Sequence, residues 1–409
     1  MSDPPPLPRQ RISVEEATRL IDEHTPRWPT QRVPLAAAAG MVLREPIAAE
    51  RDQPPFDRVT MDGIAIAGAA LAAGRREFRI SGTQGAGAAA LTLPDGNQCI
   101  EVMTGSPLPQ GADCVVPVER ISIRNDIATL EPGYTPAAGQ NVHRRASDHR
   151  QGDALLGPGI VIGPPEMAVL TIGGRADVAV TRPPRIAVIS TGDELVPPGQ
   201  SIAPYQIRSS NDLAIEAALR ERGHAQVTRA LLRDDPADLR REIGRLLEVS
   251  EVLILSGGVS MGQFDHVPAT LAALGIEVVF HKVSQRPGLP LWFGCDRRDR
   301  LVFALPGNPV SSLVCLVRYV LPALARAAGA RPPPAPFLPL GAAVDFRPDL
   351  TWFLPVALEW QDKGAVVAHP RPTNTSGDFV SLTGTDGCLE LPRGRDHYPA
   401  GFAARFFAW

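Results

Sequence analysis

Carboxylates, hydroxyls and glycines gather at the ends of three apolar runs between residues 186 and 310. The first reads Ile186-Ala-Val-Ile-Ser-Thr-Gly-Asp-Glu194, with Ser190, Gly192, Asp193 and Glu194 where the run stops. Asp193 and Glu194 could hold Mg2+ through oxygen, and Gly192 lets the backbone approach a ligand. The second reads Val252-Leu-Ile-Leu-Ser-Gly-Gly-Val-Ser-Met-Gly-Gln-Phe-Asp265. It places Gly257, Gly258 and Ser260 at the run's end and Asp265 within reach of the same edge. Successive N–H groups at such glycines can cup an anion. The third, Leu301-Val-Phe-Ala-Leu-Pro-Gly-Asn-Pro309, leads into a helix expected from Val310 to Leu324. Asn308 suits the N-cap and Pro309 the first helical position, so the free N–H groups there could carry a phosphate. Lys282 and Arg286 stand one strand after Asp265 and could contact phosphate or an oxyanion.

Each fragment also has an ordinary reading. Asp193 and Glu194 serve equally as solvated acids of a turn, and Pro306 to Pro309 as a tight strand-to-helix connection. By spacing alone, Lys282 and Arg286 read as surface cations. Gly258-Val-Ser260-Met-Gly262 matches the G-x-S-x-G nucleophile elbow. That elbow needs a strand running into it and a helix leaving it; here Ser256-Gly257 already ends the strand and Pro268 interrupts an early helix. No G-x-x-x-x-G-K-[ST] occurs, so a Walker-type nucleotide site is not supported.

The elements that must position these loops follow from their texture. Short runs rich in Val, Ile and Leu read as buried strands of a mostly parallel sheet, whose ligands bind beyond the carboxyl ends of the strands. Between them, 211–222 has helical apolar spacing with Gly223 at its end, and Asp235-Pro236 opens another helix. Strands are expected at 227–232 and 276–280, giving a β-α-β-α order with helices on the sheet's faces. Residues 46–147 alternate in short runs (77–80, 99–103, 114–118) broken by Gly and Pro, which reads as a small β domain. Residues 337–409 read the same way (352–358, 365–369, 388–391). Near the start, 11–24 predicts a helix capped by Ser13, with Glu16 three residues on.

Composition narrows the function classes. With 409 residues the chain is expected to hold two to four domains, and a net charge of −3 supplies no basic field for nucleic acid. The 42 prolines exceed the usual ~5% share and concentrate in the N-terminal tail and at 332–336, the latter reading as a stiff linker. Five scattered cysteines form no C-x-x-C pair, which argues against a zinc site or a disulfide framework and for reduced thiols in the cytoplasm. No signal peptide is expected. The longest apolar stretch, 310–330, is broken by Arg318, Pro322 and Arg326, so no membrane span is expected either.

Taken together, these residues resemble the molybdopterin molybdenumtransferases, the family of bacterial MoeA and the C-terminal domain of gephyrin. The stretches that carry the resemblance are Phe56-Asp-Arg-Val-Thr-Met-Asp-Gly63, Met103-Thr-Gly-Ser-Pro-Leu-Pro109, Gly139-Gln-Asn-Val142, Ser190-Thr-Gly-Asp-Glu-Leu195, Ser256-Gly-Gly-Val-Ser260 with Asp265, and Leu305-Pro-Gly-Asn-Pro-Val-Ser311. They occur in the family's order over most of the chain. The resemblance implies a multidomain α/β plus β fold. A discontinuous elongated dimerisation domain (1–50 and 149–180) would contain the N-terminal helix, and a small β-rich domain would span 51–148. A central parallel α/β molybdopterin-binding domain (181–329) and a β-barrel-like C-terminal domain (330–409) would complete a homodimer subunit.

The resemblance further implies Mg2+-dependent cleavage of adenylylated molybdopterin with molybdate inserted at the dithiolene, in a site shared between two subunits. Asp62, acting from across the dimer, Glu194 and Asp265 would be catalytic. Thr104, Asp148, Ser190, Gly192, Gly257, Gly258, Ser260, Lys282, Arg286, Pro306, Asn308, Pro309 and Ser376 would contact substrate, and Mg2+ would sit on Glu194, Asp265 and Asp193. The molybdopterin adenylyltransferase and apo-molybdoenzymes would be partners, with no nucleic acid and no membrane. The sequence departs from the family at three places. Ser209 stands where an Asp is usual, His143 where an Arg is usual, and Arg286 and Leu289 replace two of three lysines in the basic loop. Arg is a planar donor fork and Lys a compact charge, and Leu has no charge at all. These departures motivate a second reading, a molybdopterin-binding carrier with reduced or altered catalysis.

Overall fold

The computed structural model describes residues 11–259 and 266–409. Strands Ile186–Thr191 (β1), Val227–Leu232 (β2), Val252–Ser256 (β3), Glu277–His281 (β4), Trp292–Cys295 (β5) and Leu301–Leu305 (β6) form one sheet in the order β2-β1-β3-β6-β5-β4. The first four in that order are parallel, β5 runs antiparallel to both its neighbours, and β4 therefore runs with the first four. The sheet is therefore mixed at one edge rather than wholly parallel. Only 282–291 separates β4 from β5, which is too short for a crossover helix, so the two strands fold back as neighbours.

Every residue of β1, β3 and β6 is buried, as expected of strands covered on both faces. Side chains alternate between the faces. Ile186 and Val188 pack with Ile215, Leu219 and the helix Pro309–Ala328, while Ala187 and Ile189 pack with Leu239, Ile243, Leu246 and Leu271. In register, Ser190 of β1 stands opposite Ser256 of β3, which stands opposite Leu305 of β6. The three chemistry-bearing loops thus leave the sheet at one level.

Helix Pro236–Val249 begins where Asp235 accepts the Ala237 and Asp238 N–H groups at 3.0 and 2.8 Å. Helix Pro309–Ala328 passes a bilayer test by length and composition alone. Most of it is instead packed in the core, and its Arg318 is ion-paired inside the protein at a π-turn over Leu316–Val320.

The small β domain is a six-stranded sheet ordered 114–117, 63–66, 98–102, 77–84, 127–130, 121–124. It is inserted into a part in which Thr30–Pro34 pairs with Asp177–Thr181 and Ile47–Ala48 with Ala154–Leu156. The N-terminal helix is placed differently from the expectation. It spans Val14–His24, Ser13 accepts the Glu16 N–H at 3.1 Å, and the Glu16 carboxylate turns to Arg19 instead of closing a capping box. Its buried face (Val14, Ala17, Ile21) joins the core of the α/β domain, not residues 149–180, because that apolar stripe meets the helix ending at Ala328.

The C-terminal sheet runs 285–286, 351–360, 387–391, 403–408, 337–339, with 366–370 paired on the other side of 351–360. Among the described residues its two ends are joined by a bridge between Leu340 and Ala368, with the Gly341 N–H donating to the Ala368 carbonyl at 2.8 Å, and not by a strand pairing. It is a half-barrel rather than the expected barrel. All five cysteines are free, and burial pushes the Cys99 and Cys114 thiols up to about 12.

Candidate active site

Glycines at the strand ends set the geometry of the crevice. Gly257 has φ +101°, and a Cβ there would lie 2.6 Å from the Thr191 carbonyl oxygen; one on Gly258 (φ +64°) would lie 2.7 Å from Val267. The β3 loop can therefore lie against β1 only as glycine. Gly257→Ala is expected to destabilise the fold by about 1–3 kcal/mol and to displace the crevice wall. Thermal unfolding checks this, and an unchanged Tm would show that the loop relaxes freely. Gly192 (φ +153°) is less confined, since a Cβ there would meet only the mobile end of the exposed Glu194 side chain, 2.6 Å away.

A side-chain network ties the β3 and β6 loops together. Asn211, at the start of helix Asn211–Glu221, donates to Ser256 Oγ and to the Gly307 carbonyl, both at 2.7 Å. Ser256 Oγ lies 3.2 Å from Ser312 Oγ, and Ser312 donates to the Pro306 carbonyl. In a trans peptide the N–H points opposite to the carbonyl. Holding the Pro306 and Gly307 carbonyls in the network turns the Gly307 and Asn308 N–H groups away from it. Among the described residues neither amide has a protein acceptor. Asn308 sits at the N-cap position, but its side chain makes no capping bond and donates to Ser376 Oγ at 2.7 Å. The C-terminal domain is thereby latched on the helix start, where the Val310 N–H also donates to the Ser376 carbonyl at 3.1 Å.

Arg286, Pro306, Asn308 and Ser376 line one cavity of about 560 Å3 between the α/β and C-terminal domains, and Leu289 and Ser311 share it. Lys282 lies in the same basic loop with φ +75°, a left-handed backbone that a non-glycine residue adopts only under constraint. The constraint is visible: its N–H donates to the Leu291 carbonyl, and its own carbonyl accepts from Ile12. Pro309 is the first residue of the helix.

Ser190, Gly192, Asp193 and Glu194 end β1, with Asp234 beside them. Asp234, missed in the sequence reading, donates its N–H to Asp193 Oδ1 at 3.4 Å. Burial first, then the charges of Glu194 and Asp193, raise its carboxyl above the ordinary range. The available signal was its position two residues past β2, but that strand end carries no glycine to draw attention. A carboxyl raised in this way binds protons more readily in the folded than in the unfolded state. Its contribution to stability is therefore lost as pH rises through the ordinary carboxylate range toward the raised value. Asp234→Asn is expected to raise Tm at neutral pH in EDTA and to leave it unchanged at acid pH below that range. A Tm gain equal at both pH values would contradict the cause given.

Asp265 and Ser260, and with Ser260 the G-x-S-x-G centre, lie outside the described residues. Asp62, Thr104 and Asp148 lie in or beside the small β domain. The Thr104 N–H and then its hydroxyl, at 2.6 and 2.7 Å, hold the exposed Asp62 carboxyl below its ordinary range. Asp148 pairs with His143 Nε2 at 2.9 Å, and His143 Nδ1 lies 3.1 Å from Arg58. Among the described residues, neither Asp62 nor Asp148 shares a hydrogen bond or ion pair with the crevice loops, and no element of the small β domain packs closely on the central sheet. Of the departures, Ser209 is buried with its hydroxyl donated to Asp212 at 2.8 Å, while Leu289 faces the cavity.

A mixed α/β domain with a glycine-bounded crevice at its strand ends, flanked by a small β domain and a C-terminal half-barrel, defines a multidomain α/β plus β protein. Comparison narrows the class. Residues 12–174 match the MoeA N-terminal region (domain I and II), 187–326 a probable molybdopterin binding domain, and 338–406 the MoeA C-terminal region (domain IV). The chain is 39% identical over 401 residues to the molybdopterin molybdenumtransferase of Synechocystis sp., covering 97% of this chain and 100% of that one. It is 30% identical to the Staphylococcus aureus protein of the same name, covering 96% and 94%. Its fold superposes with a TM-score of 0.81 on the crystal structure of a molybdopterin biosynthesis MoeA protein from Pyrococcus horikosii, at 28% identity over 98% of this chain and 99% of that one. The chain belongs to the molybdopterin molybdenumtransferase family.

Proposed function

We propose that this protein is a transferase of molybdenum cofactor biosynthesis that cleaves adenylylated molybdopterin and inserts molybdenum from molybdate. The observation that carries this reading is the pairing of two unlike walls. Acids at the ends of β1 and β2 suit a cation, and the Arg286–Asn308 cavity beyond the end of β6, which those acids do not line, suits an anion. Breaking a phosphoanhydride calls for charge neutralisation and positioning more than for a covalent nucleophile.

The residues present fit Mg2+. Asp234 is crowded by Glu194 and Asp193, a repulsion that a hard cation relieves. No three acidic, His or Cys side chains among the described residues are grouped to cage a metal. Glu194 and Asp193 would hold Mg2+, with Asp265 from the loop after β3, and it would withdraw charge from the phosphate oxygens. The Gly307 and Asn308 N–H groups and Arg286 would orient the phosphate. Asp62, held by Thr104, and Asp148 would complete the site from a second copy of the chain, since among the described residues they share no hydrogen bond or ion pair with the crevice loops.

The test is AMP release from adenylylated molybdopterin with Mg2+, with and without molybdate, followed by reconstitution of an apo-molybdoenzyme. Folded protein that gives no AMP above a blank would refute the enzyme. Tight pterin binding without AMP release would instead select the carrier reading, which Leu289 in the cavity wall favours.

A further inference from the structure

The cavity that holds Arg286 and Asn308 also has an aromatic wall. Trp352, on strand Thr351–Trp360, lies in parallel register directly beside Arg286. Phe346 stacks on the indole with ring centroids 4.6 Å apart and planes 14° from parallel. Phe346 is buried, so it backs the indole rigidly, and the partly exposed remainder of Trp352 lines the cavity. Leu289 and Leu350 extend the apolar surface. A guanidinium, the Asn308 helix start and a supported indole in one cavity match a phosphate ester that carries a flat ring system. Stacking on an aromatic platform tolerates any planar heterocycle, because each has a π-face. At about 560 Å3 the space is within the range of small-molecule sites.

We infer that Trp352, backed by Phe346, is a binding residue for the fused-ring heterocycle of the substrate, with the attached phosphate toward Arg286 and Asn308. The inference rests on the function proposed above for the ligand's identity, and two ring systems of that substrate, adenine and pterin, share the required chemistry. Leu289 then has a role as well, since an apolar side chain suits the edge of a ring where a lysine would suit a second anionic group.

The experiment measures equilibrium binding of AMP, neopterin and ribose phosphate, without turnover, to the full chain and to Trp352→Leu and Trp352→Phe. Trp352→Leu is expected to weaken one of the two ring ligands about tenfold and to leave ribose phosphate unchanged, and Trp352→Phe to keep most of the affinity. AMP as the sensitive ligand assigns the wall to adenine, and neopterin assigns it to the pterin. Equal affinity of wild type and Trp352→Leu for both rings would overturn the inference, as would a loss that includes ribose phosphate or that Trp352→Phe fails to rescue. Failure here is separable from failure of the function. An active enzyme with a Trp352-independent ring site sinks only the wall, and an inactive chain with Trp352-dependent ring binding sinks only the reaction.

Discussion

Arg318→Ala is expected to lower folding stability by about 3–5 kcal/mol, because it strands a buried carboxylate. Arg318 Nε lies 2.6 Å from Glu390 Oε2, with the two side chains only 7% and 10% exposed. The guanidinium also lies over the Tyr319 and Phe407 rings at 5.2 and 5.1 Å. The pair joins the long helix of the α/β domain to the strand Gly387–Leu391 of the C-terminal half-barrel. Losing it should loosen the domain contact that forms the Arg286–Asn308 cavity. Urea unfolding measures the loss, and the double variant Arg318→Met/Glu390→Leu should recover most of it, since an apolar pair of similar volume leaves no unpaired charge. A single-variant loss under about 1 kcal/mol, the size expected of an exposed pair, would mean that water reaches the site.

Glu194→Gln should separate chemistry from folding. The amide keeps the carboxylate's shape, so the strand end and its glycine contacts persist, but one charge proposed to hold the cation is gone. AMP release is expected to fall about 10²–10³-fold, the scale of removing one electrostatic contact to a reacting group. Stability should hold or rise, because Asp234 loses a repelling neighbour. A parallel fall of stability and activity would assign Glu194 a structural role. Mixing this variant with Asp62→Ala extends the test to the subunit arrangement. In a two-fold dimer with sites shared between subunits, random pairing restores about a quarter of wild-type activity, since half of the dimers carry one intact site. No recovery on mixing would place both acids in the same subunit's site or remove Asp62 from it.

The sequence alone determined the local parts. Uninterrupted Val, Ile and Leu runs could be satisfied only as doubly covered strands, so β1, β3 and β6 were legible, and with them the polar loops that leave the sheet at their ends. Asp235-Pro236 and Ser13 marked helix starts because capping is a contact between near neighbours in the chain. Tertiary structure decided whatever depends on partners distant in sequence. The sheet's antiparallel edge follows from a loop too short to cross over, and the N-terminal helix joined the α/β core because its stripe meets the end of Pro309–Ala328. Asn308 reads as a cap from its neighbours, yet Ser376, 68 residues away, takes its side chain. Asp234 carries no motif; only the burial and the like charges that the fold assembles around it raise its carboxyl. Trp352 is one aromatic among many until strand register sets it beside Arg286 and Phe346 stacks behind it. Periodicity and capping are short-range physics and can be read along the chain, whereas desolvation, charge crowding and stacking arise only when folding brings distant groups together.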